Sequence, residues 1–513
     1  MPSSQLLVIY FISLLYVWLP SFGFAKLFAK AGVAPWKAYI PFYNTWVMQD
    51  LAKRPKHWVF WQAIPVVGWF ITPGIFIEFV KLFGKFTIGQ HTLASLVPFI
   101  YFPYIAYKED PKFIGPDVVK KYKKSGWREW VDAAIFAVVA ATLIRTFVFE
   151  AYTIPSGSME KTLLINDFLF VSKFSYGPRI PNTPLSIPFI HNYIPGLNWK
   201  SYSTAIELPY IRWFASPVKR GDVVVFNFPA GDTVIHKTGF ESANPYYDVK
   251  RRAAAGSTSD QMILNDPVNF PIVVHPPDKT DNYIKRCIGI AGDTLQVIHG
   301  DVYIDGVKQP IPPNSERNYQ VELKDNRSLD PDYLKDLGIM INETDNSSDL
   351  NMMGNSTYLI NMTEKEKSAL EKSPIVKSVQ PYFINTPNPT EYFPYDTIHK
   401  WSVDEYGPIW IPKKGAKIVL NDSTYPIYER AIRVYEKNSL EKKDGKFILN
   451  GKEATDYTFK MNYYWMMGDN RQGSQDSRFW GFVPEDRIVG EASIIWFSWK
   501  NGPRWNRLFK VVK

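Results

Sequence analysis

The chain is short of the residues that make several kinds of chemistry easy. Of 513 residues one is a cysteine, Cys287. That excludes an intramolecular disulfide framework and any cysteine-based zinc site, and leaves a buried small apolar residue as its default role. Histidine is scarce, at seven. Charged residues make up only 21%, against 46% hydrophobic and 16% aromatic, and no convincing internal repeat or extended low-complexity tract occurs. This excludes a disordered chain and a coiled coil. A mean hydropathy of −0.19 excludes a protein that is membrane throughout.

Negative charge is short in one region only. Residues 1–150 carry 16 Lys+Arg against 8 Asp+Glu, so +8 of the net +9 belongs to them. These basic residues flank apolar runs instead of forming a polar basic face, which favours a membrane over nucleic acid as partner. Four runs are candidates to cross: 6–24, 58–80 (broken by Pro65 and Pro73), the short 92–107, and 130–152. Basic residues crowd the loops after the first run and before the fourth, and the N-terminal tail has none. The positive-inside rule puts those loops in the cytoplasm and everything after residue 152 outside. The opening MPSSQ lacks the basic stretch of a secretory signal, so the first run is expected to be a retained anchor.

From about residue 151 the pattern changes to short β-rich runs: DFLFVSKF, GDVVVFNF, DTLQVIHGDVYIDG, KFILNGK, YYWMMGD and GEASIIWFSW, parted by Gly, Asp, Asn and Pro turns. The organisation expected is a multi-span segment over 1–129, a span over 130–152, a β domain over 153–309 interrupted by 177–218 and 237–280, an inserted subdomain over 310–445, and a closing β part over 446–513. Asn342, Asn346, Asn355 and Asn361 stand in Asn-x-Ser/Thr contexts, which a polar surface stretch explains equally well.

Three short segments carry the chemistry. The first is Ile154-Pro155-Ser156-Gly157-Ser158-Met159-Glu160, directly after the last apolar run. The second is Tyr283-Ile284-Lys285-Arg286, followed by Gly292-Asp293. The third is Gly468-Asp469-Asn470-Arg471, leading to Ser474, Asp476, Ser477 and Arg478. Singly each is ordinary: Pro-Ser-Gly-Ser is usually a turn, a lone lysine a solvated charge, Gly-Asp-Asn-Arg a loop. In this order, after an apolar span, they resemble the boxes of type I signal peptidases, membrane-bound serine proteases that remove signal peptides from exported proteins. The resemblance covers about 130–176, 219–235, 281–307 and 446–499. It leaves out the insertions. The family often carries proline where this chain has Lys161, which bears on the local turn more than on the reacting groups.

The resemblance implies a fold of N-terminal transmembrane helices followed by a mainly β catalytic domain with large inserted α+β or loop subdomains. It implies Ser158 as nucleophile, Lys285 as general base, and Ser156 with the Ser158 amide as the oxyanion hole. Ser474 is then the residue that holds the lysine amine. Asp476 with Arg478, and Asp469 with Arg286, are supporting ion pairs; a plain structural salt bridge is the equal alternative for each. Ile154, Pro155, Tyr283 and Ile284 are candidates for shallow pockets taking small side chains one and three residues before the cut, with core packing as the competing role. No cofactor and no metal are implied. The partners expected are signal-peptide-bearing preproteins, the lipid bilayer and the export machinery, with no nucleic acid. The location expected is the cytoplasmic (inner) membrane, multi-pass, with the catalytic part on the outer, periplasmic side.

The residues argue alongside. A serine hydroxyl needs a base, and none of the seven histidines lies in the three segments. A lysine can serve only as the neutral amine, which means lowering it from near 10.4 by about three, or about 4 kcal/mol. Burial among apolar groups has that sign, and Lys285 sits in a strand-like run where Tyr283, Lys285 and Cys287 share one face. Two rivals stay open: a non-catalytic export or scaffold protein that kept the fold, and a self-cleaving regulator built on the same pair.

Overall fold

The computed structural model describes residues 3–64, 67–197, 199–229, 233–237, 239–324, 327–341 and 349–513. Pro65, Asn342 and Asn346, named above, lie outside these. The chain divides into two compact units, residues 1–147 with 179–212, and residues 148–178 with 213–513.

The first unit is helical up to residue 147, and the described residues of its segment 179–212 form turns and isolated bridges. Among the described residues one helix, Gly126–Phe147, is long and apolar enough to cross a membrane; at 22 residues it reaches about 33 Å, against a hydrocarbon core of about 30 Å. The first expected run forms a pair of helices bent by 41° between Tyr10–Trp18 and Ser21–Lys30, which reaches spanning length only as a broken whole. Pro20 sits at the bend and cannot donate the hydrogen bond a straight helix needs there. The second run breaks into Trp58–Gln62 and Val67–Lys81, and the third into Ile88–Leu96 and Pro98–Tyr104, with a proline opening the last of these. A core of phenylalanines joins these pieces, with Phe24, Phe76, Phe79 and Phe102 fully buried against one another. The fourth run ends sooner than expected. Its helix stops at Phe147, and residues expected as its last turn form the strand Phe149–Thr153.

The second unit is mainly β. Its principal sheet contains, in chain order, β1 (Phe149–Thr153), β2 (Asp167–Ser172), β3 (Val223–Asn227), β4 (Asn282–Gly289), β5 (Tyr463–Met467), β6 (Val483–Pro484), β7 (Ile488–Ser498) and β8 (Lys510–Val511). The strand order is β1-β2-β7-β3-β4-β5-β6, with β8 also on β7, and every pairing is antiparallel. The β-branched and aromatic content of these runs suits a sheet covered on both faces. Alternation sorts the side chains: Tyr283 and Cys287 join Val224, Phe226 and Trp480 in one core, while Ile284 joins Val223, Val225, Leu169 and Ile495 in another.

The stretch 310–445 is not one subdomain. Among the described residues only its first half has a core of its own, under a four-stranded sheet of Leu350–Gly354, Thr357–Thr363, Glu316–Leu323 and Val376–Pro381. Further on, Tyr406–Trp410 pairs with Thr294–Ile298, and Phe393, Tyr406 and Ile409 share a core with Leu295, Trp465 and Phe482. Long-range pairing of that kind leaves no local trace in sequence.

Candidate active site

The turn that carries Ser158 hangs from the end of β1. The ladder to β2 continues one residue past the strand, through Ile154 N–H to Asp167 O at 2.9 Å. Ile154 and Met159 are both buried in the same apolar core, 3% and 1% exposed. Between these two anchors Gly157–Met159 closes a single 3-10 turn, leaving Ser158 half-buried and Ser156 exposed. The loop after β5 holds the turn from behind: Asn470 N–H donates to Ser158 O at 3.2 Å and Asn470 Nδ2 to Gly157 O at 3.3 Å.

Lys285 lies on β4, opposite Val224 of β3. Its Nζ is 2.6 Å from Ser158 Oγ and 3.1 Å from Ile284 O. The residue is 3% exposed. Burial pushes the amine down from 10.5 to about 8, against the pull of the Asp476 and Asp469 carboxylates. β4 pairs with β3 through Asn282–Arg286 on one edge, and with β5 only from Arg286 onward on the other. The Asn282–Lys285 stretch therefore keeps one edge without a strand partner among the described residues.

Opposite Arg286, β5 ends at Met467, which delivers Gly468 and Asp469 beside the lysine strand. Arg286 grips Asp469 through two bonds, Nε to Oδ1 at 2.7 Å and Nη2 to Oδ2 at 2.6 Å, and Thr162 Oγ1 adds a third at 2.6 Å. Asp476 and Arg478 form a second two-pronged pair at 2.9 and 2.8 Å, both residues buried. Burial works to raise Asp476, and the Arg478 guanidinium with the Gly468 and Arg478 amides outweighs it, holding the carboxyl below its usual range. Asp476 also accepts from Gly468 N–H at 3.1 Å, so this pair reaches the turn next to the serine.

Ser474 is buried beside Gly468, and its hydroxyl donates to Gln475 O at 3.4 Å rather than to the lysine amine. The second group on that amine is Ile284 O, because the amine lies folded back along its own strand. Of the expected pocket residues, Ile154 is core, and the Tyr283 ring packs against Phe228 and Trp480 at 4.7 and 5.4 Å. Ile284 is half-buried and Pro155 exposed.

Sequence reading gave no role in the site to several of its residues. Asn470 and Thr162 look like any loop polar groups until the strands bring them in. Gly468 has no room for a side chain: a carbon there would stand 2.3 Å from Ser474 Oγ. Lys161 has φ +64, a value closed to proline, whose ring holds φ near −65°. Its Nζ lies 3.1 Å from Glu366, 3.4 Å from Glu316 and 3.7 Å from Asp349, all from the subdomain inserted after residue 310. The departure from the family's proline is thus a docking contact for that insertion.

The mainly β unit sets a serine hydroxyl on a buried amine, an arrangement compatible with the class of serine hydrolases. The family model described as signal peptidase, peptidase S26, matches residues 127–352 and 410–499. The chain belongs to that family and is a serine endopeptidase of the signal peptidase kind. It is similar to the protein named Signal peptidase I of Haemophilus influenzae, 26% identical over 398 residues, 74% of this chain and 75% of that one. The Signal peptidase I of Buchnera aphidicola subsp. Schizaphis graminum is 25% identical over 376 residues, covering 72% and 77%. That of Rickettsia massiliae is 24% identical over 378 residues, covering 74% and 82%. A second model, described as a family of unknown function, matches residues 36–116.

Proposed function

We propose that this endopeptidase cleaves N-terminal signal peptides from exported preproteins with Ser158 as nucleophile and Lys285 as general base. The 2.6 Å approach of the two groups, with the amine lowered to about 8, carries the reading. The neutral amine takes the hydroxyl proton as Oγ attacks the scissile carbonyl carbon. The oxyanion formed faces the Ser158 N–H and the Ser156 hydroxyl. The ammonium of Lys285 then gives its proton to the departing amine, leaving an ester on Ser158. Water, deprotonated by the same amine, hydrolyses that ester. Asp469, Arg286, Asp476 and Arg478 hold the loops in which these groups sit, and Ser474 acts through Gly468.

The substrate is an extended peptide added as a strand to the open edge of Asn282–Lys285. Exposed Pro155 and half-buried Ile284 flank the place where small side chains before the cut would lie. The helix Gly126–Phe147 anchors the enzyme in the cytoplasmic membrane, with the bent pair at 10–30 as a further anchor and the catalytic unit on the outer side. Exposed Trp499, Trp505 and Phe509 meet the bilayer interface, where such rings are favoured.

The test uses the purified full chain in detergent with a precursor protein. Ser158→Ala and Lys285→Ala should each lower cleavage by about a thousandfold or more. Unchanged processing by Ser158→Ala would favour a non-catalytic export role.

A further inference from the structure

A cavity of about 160 Å³ lies beside β4, walled by Arg220, Arg286, Arg317 and Arg471, by Gln309 and by the segment Pro310-Ile311-Pro312. Three of the guanidiniums have acidic partners outside its lining. Arg220 pairs with Asp293 at 2.7 Å, Arg286 with Asp469 at 2.6 Å and Arg317 with Asp301 at 2.7 Å. The fourth has none. Arg471 is 3% exposed, forms no ion pair among the described residues, and its Nε and Nη1 lack any hydrogen-bond partner. Arg317 Nε is buried without a partner too. Among the described residues no carboxylate lines the cavity.

Buried donors on a charged group are ordinarily satisfied, and an uncompensated buried charge is among the costliest arrangements a fold can hold. Losing the proton does not relieve Arg471. Burial, with Arg478 and Arg317 adding to it, lowers the guanidinium only to about 10, so it stays charged at neutral pH. The volume is several times the roughly 30 Å³ share of one water, enough for a small anion with a few waters. Guanidinium forks match the oxygen spacing of phosphate.

We infer that this cavity is a binding site for a phosphate-sized oxyanion, with Arg471 as its principal ligand and Arg317 beside it. The group bound is a phosphate, either free or presented by an anionic lipid headgroup. The assignment stands apart from the proteolytic reading, and its test does not use cleavage.

The experiment is calorimetric titration of the full chain in a phosphate-free sugar detergent with inorganic phosphate, and in parallel with phosphatidylglycerol or phosphatidylcholine bicelles. Saturable binding at one site with a Kd of about 1 mM or tighter is expected for phosphate, with a matching rise in Tm. Arg471→Met should abolish both. Gln309→Glu, which adds a carboxylate to the wall without removing a buried group, should also abolish phosphate binding and raise Tm without added anion. It decides the matter if Arg471→Met does not fold. Response to phosphatidylglycerol bicelles alone, lost in Gln309→Glu, would assign the phosphate to a lipid. No saturable binding from either source, or binding unchanged in Gln309→Glu, overturns the site.

Discussion

A side-chain carbon on Gly468 would stand 2.4 Å from the carbonyl oxygen of Ser158. The obstruction is backbone, and real carbon atoms do not approach so closely. Gly468→Ala must therefore push back the turn that carries the proposed nucleophile. Displacement of about 1 Å can cost about a hundredfold in rate. The expected outcome is that loss in kcat with the fold retained, read by precursor cleavage beside circular dichroism.

The pH dependence of cleavage follows from the lysine. With the amine lowered to about 8, kcat/KM should climb about tenfold per pH unit below that value and level off above it. A flat profile from pH 6 to 10, with the chemical step shown to limit the rate, would count against Lys285 as the base.

The same lowering makes Lys285 a cost to stability. Between about 8 and 10.5 the unfolded chain holds a proton the folded chain has released, so stability rises with pH through that window. Below about 8 the folded chain carries the buried charge at a cost of about 3 kcal/mol. Lys285→Met should be inactive and more stable than the parent at pH 7, by about 1–3 kcal/mol in denaturant titration. The stability gap between variant and parent should narrow as pH rises from about 8 to 10.5.

At Lys161 two substitutions separate backbone from charge. Lys161→Gly keeps the positive φ accessible and removes the cation from Glu366, Glu316 and Asp349. Lys161→Pro removes the cation and forbids the backbone as well. The proline variant should lose about 3 kcal/mol or more, and the glycine variant clearly less. Equal Tm values for the two would show that the backbone conformation here does not matter.

Asp469 is held by Arg286 and Thr162 at full burial. Asp469→Ala leaves the Arg286 guanidinium buried without its partner, and a loss of about 3–5 kcal/mol is expected by denaturant titration. A change below 1 kcal/mol would mean that the pair is not buried as described.

The sequence made the β runs legible because β-branched and aromatic residues cluster in them between Gly, Asp, Asn and Pro turns. Asp167–Ser172 adds an alternation of buried and half-buried positions, whereas Val223–Asn227 and Tyr463–Met467 are buried throughout. The sequence marked apolar runs in the N-terminal part with equal clarity. Proline already marked the runs at 58–80 and 92–107 as interrupted, and each is split into two helices, although Pro73 lies inside Val67–Lys81. Residues 149–152 read as the tail of a span because strand and helix tail have the same composition over so few residues, and the decision rests on pairing with 169–172.

The resemblance of three ordered segments to the boxes of type I signal peptidases was what marked Ser158, Lys285 and the acidic and basic partners as a set, and the lack of a histidine in those segments agreed with a lysine base. Only the tertiary structure decided which of them touch. It brought residues 127 apart in sequence to 2.6 Å and buried the amine. It left Gly468 no room for a side chain, turned Lys161 toward three carboxylates, and left Arg471 without an ion-pair partner among the described residues. Contact, desolvation and missing partners belong to the space between distant segments, and sequence spacing carries no record of that space.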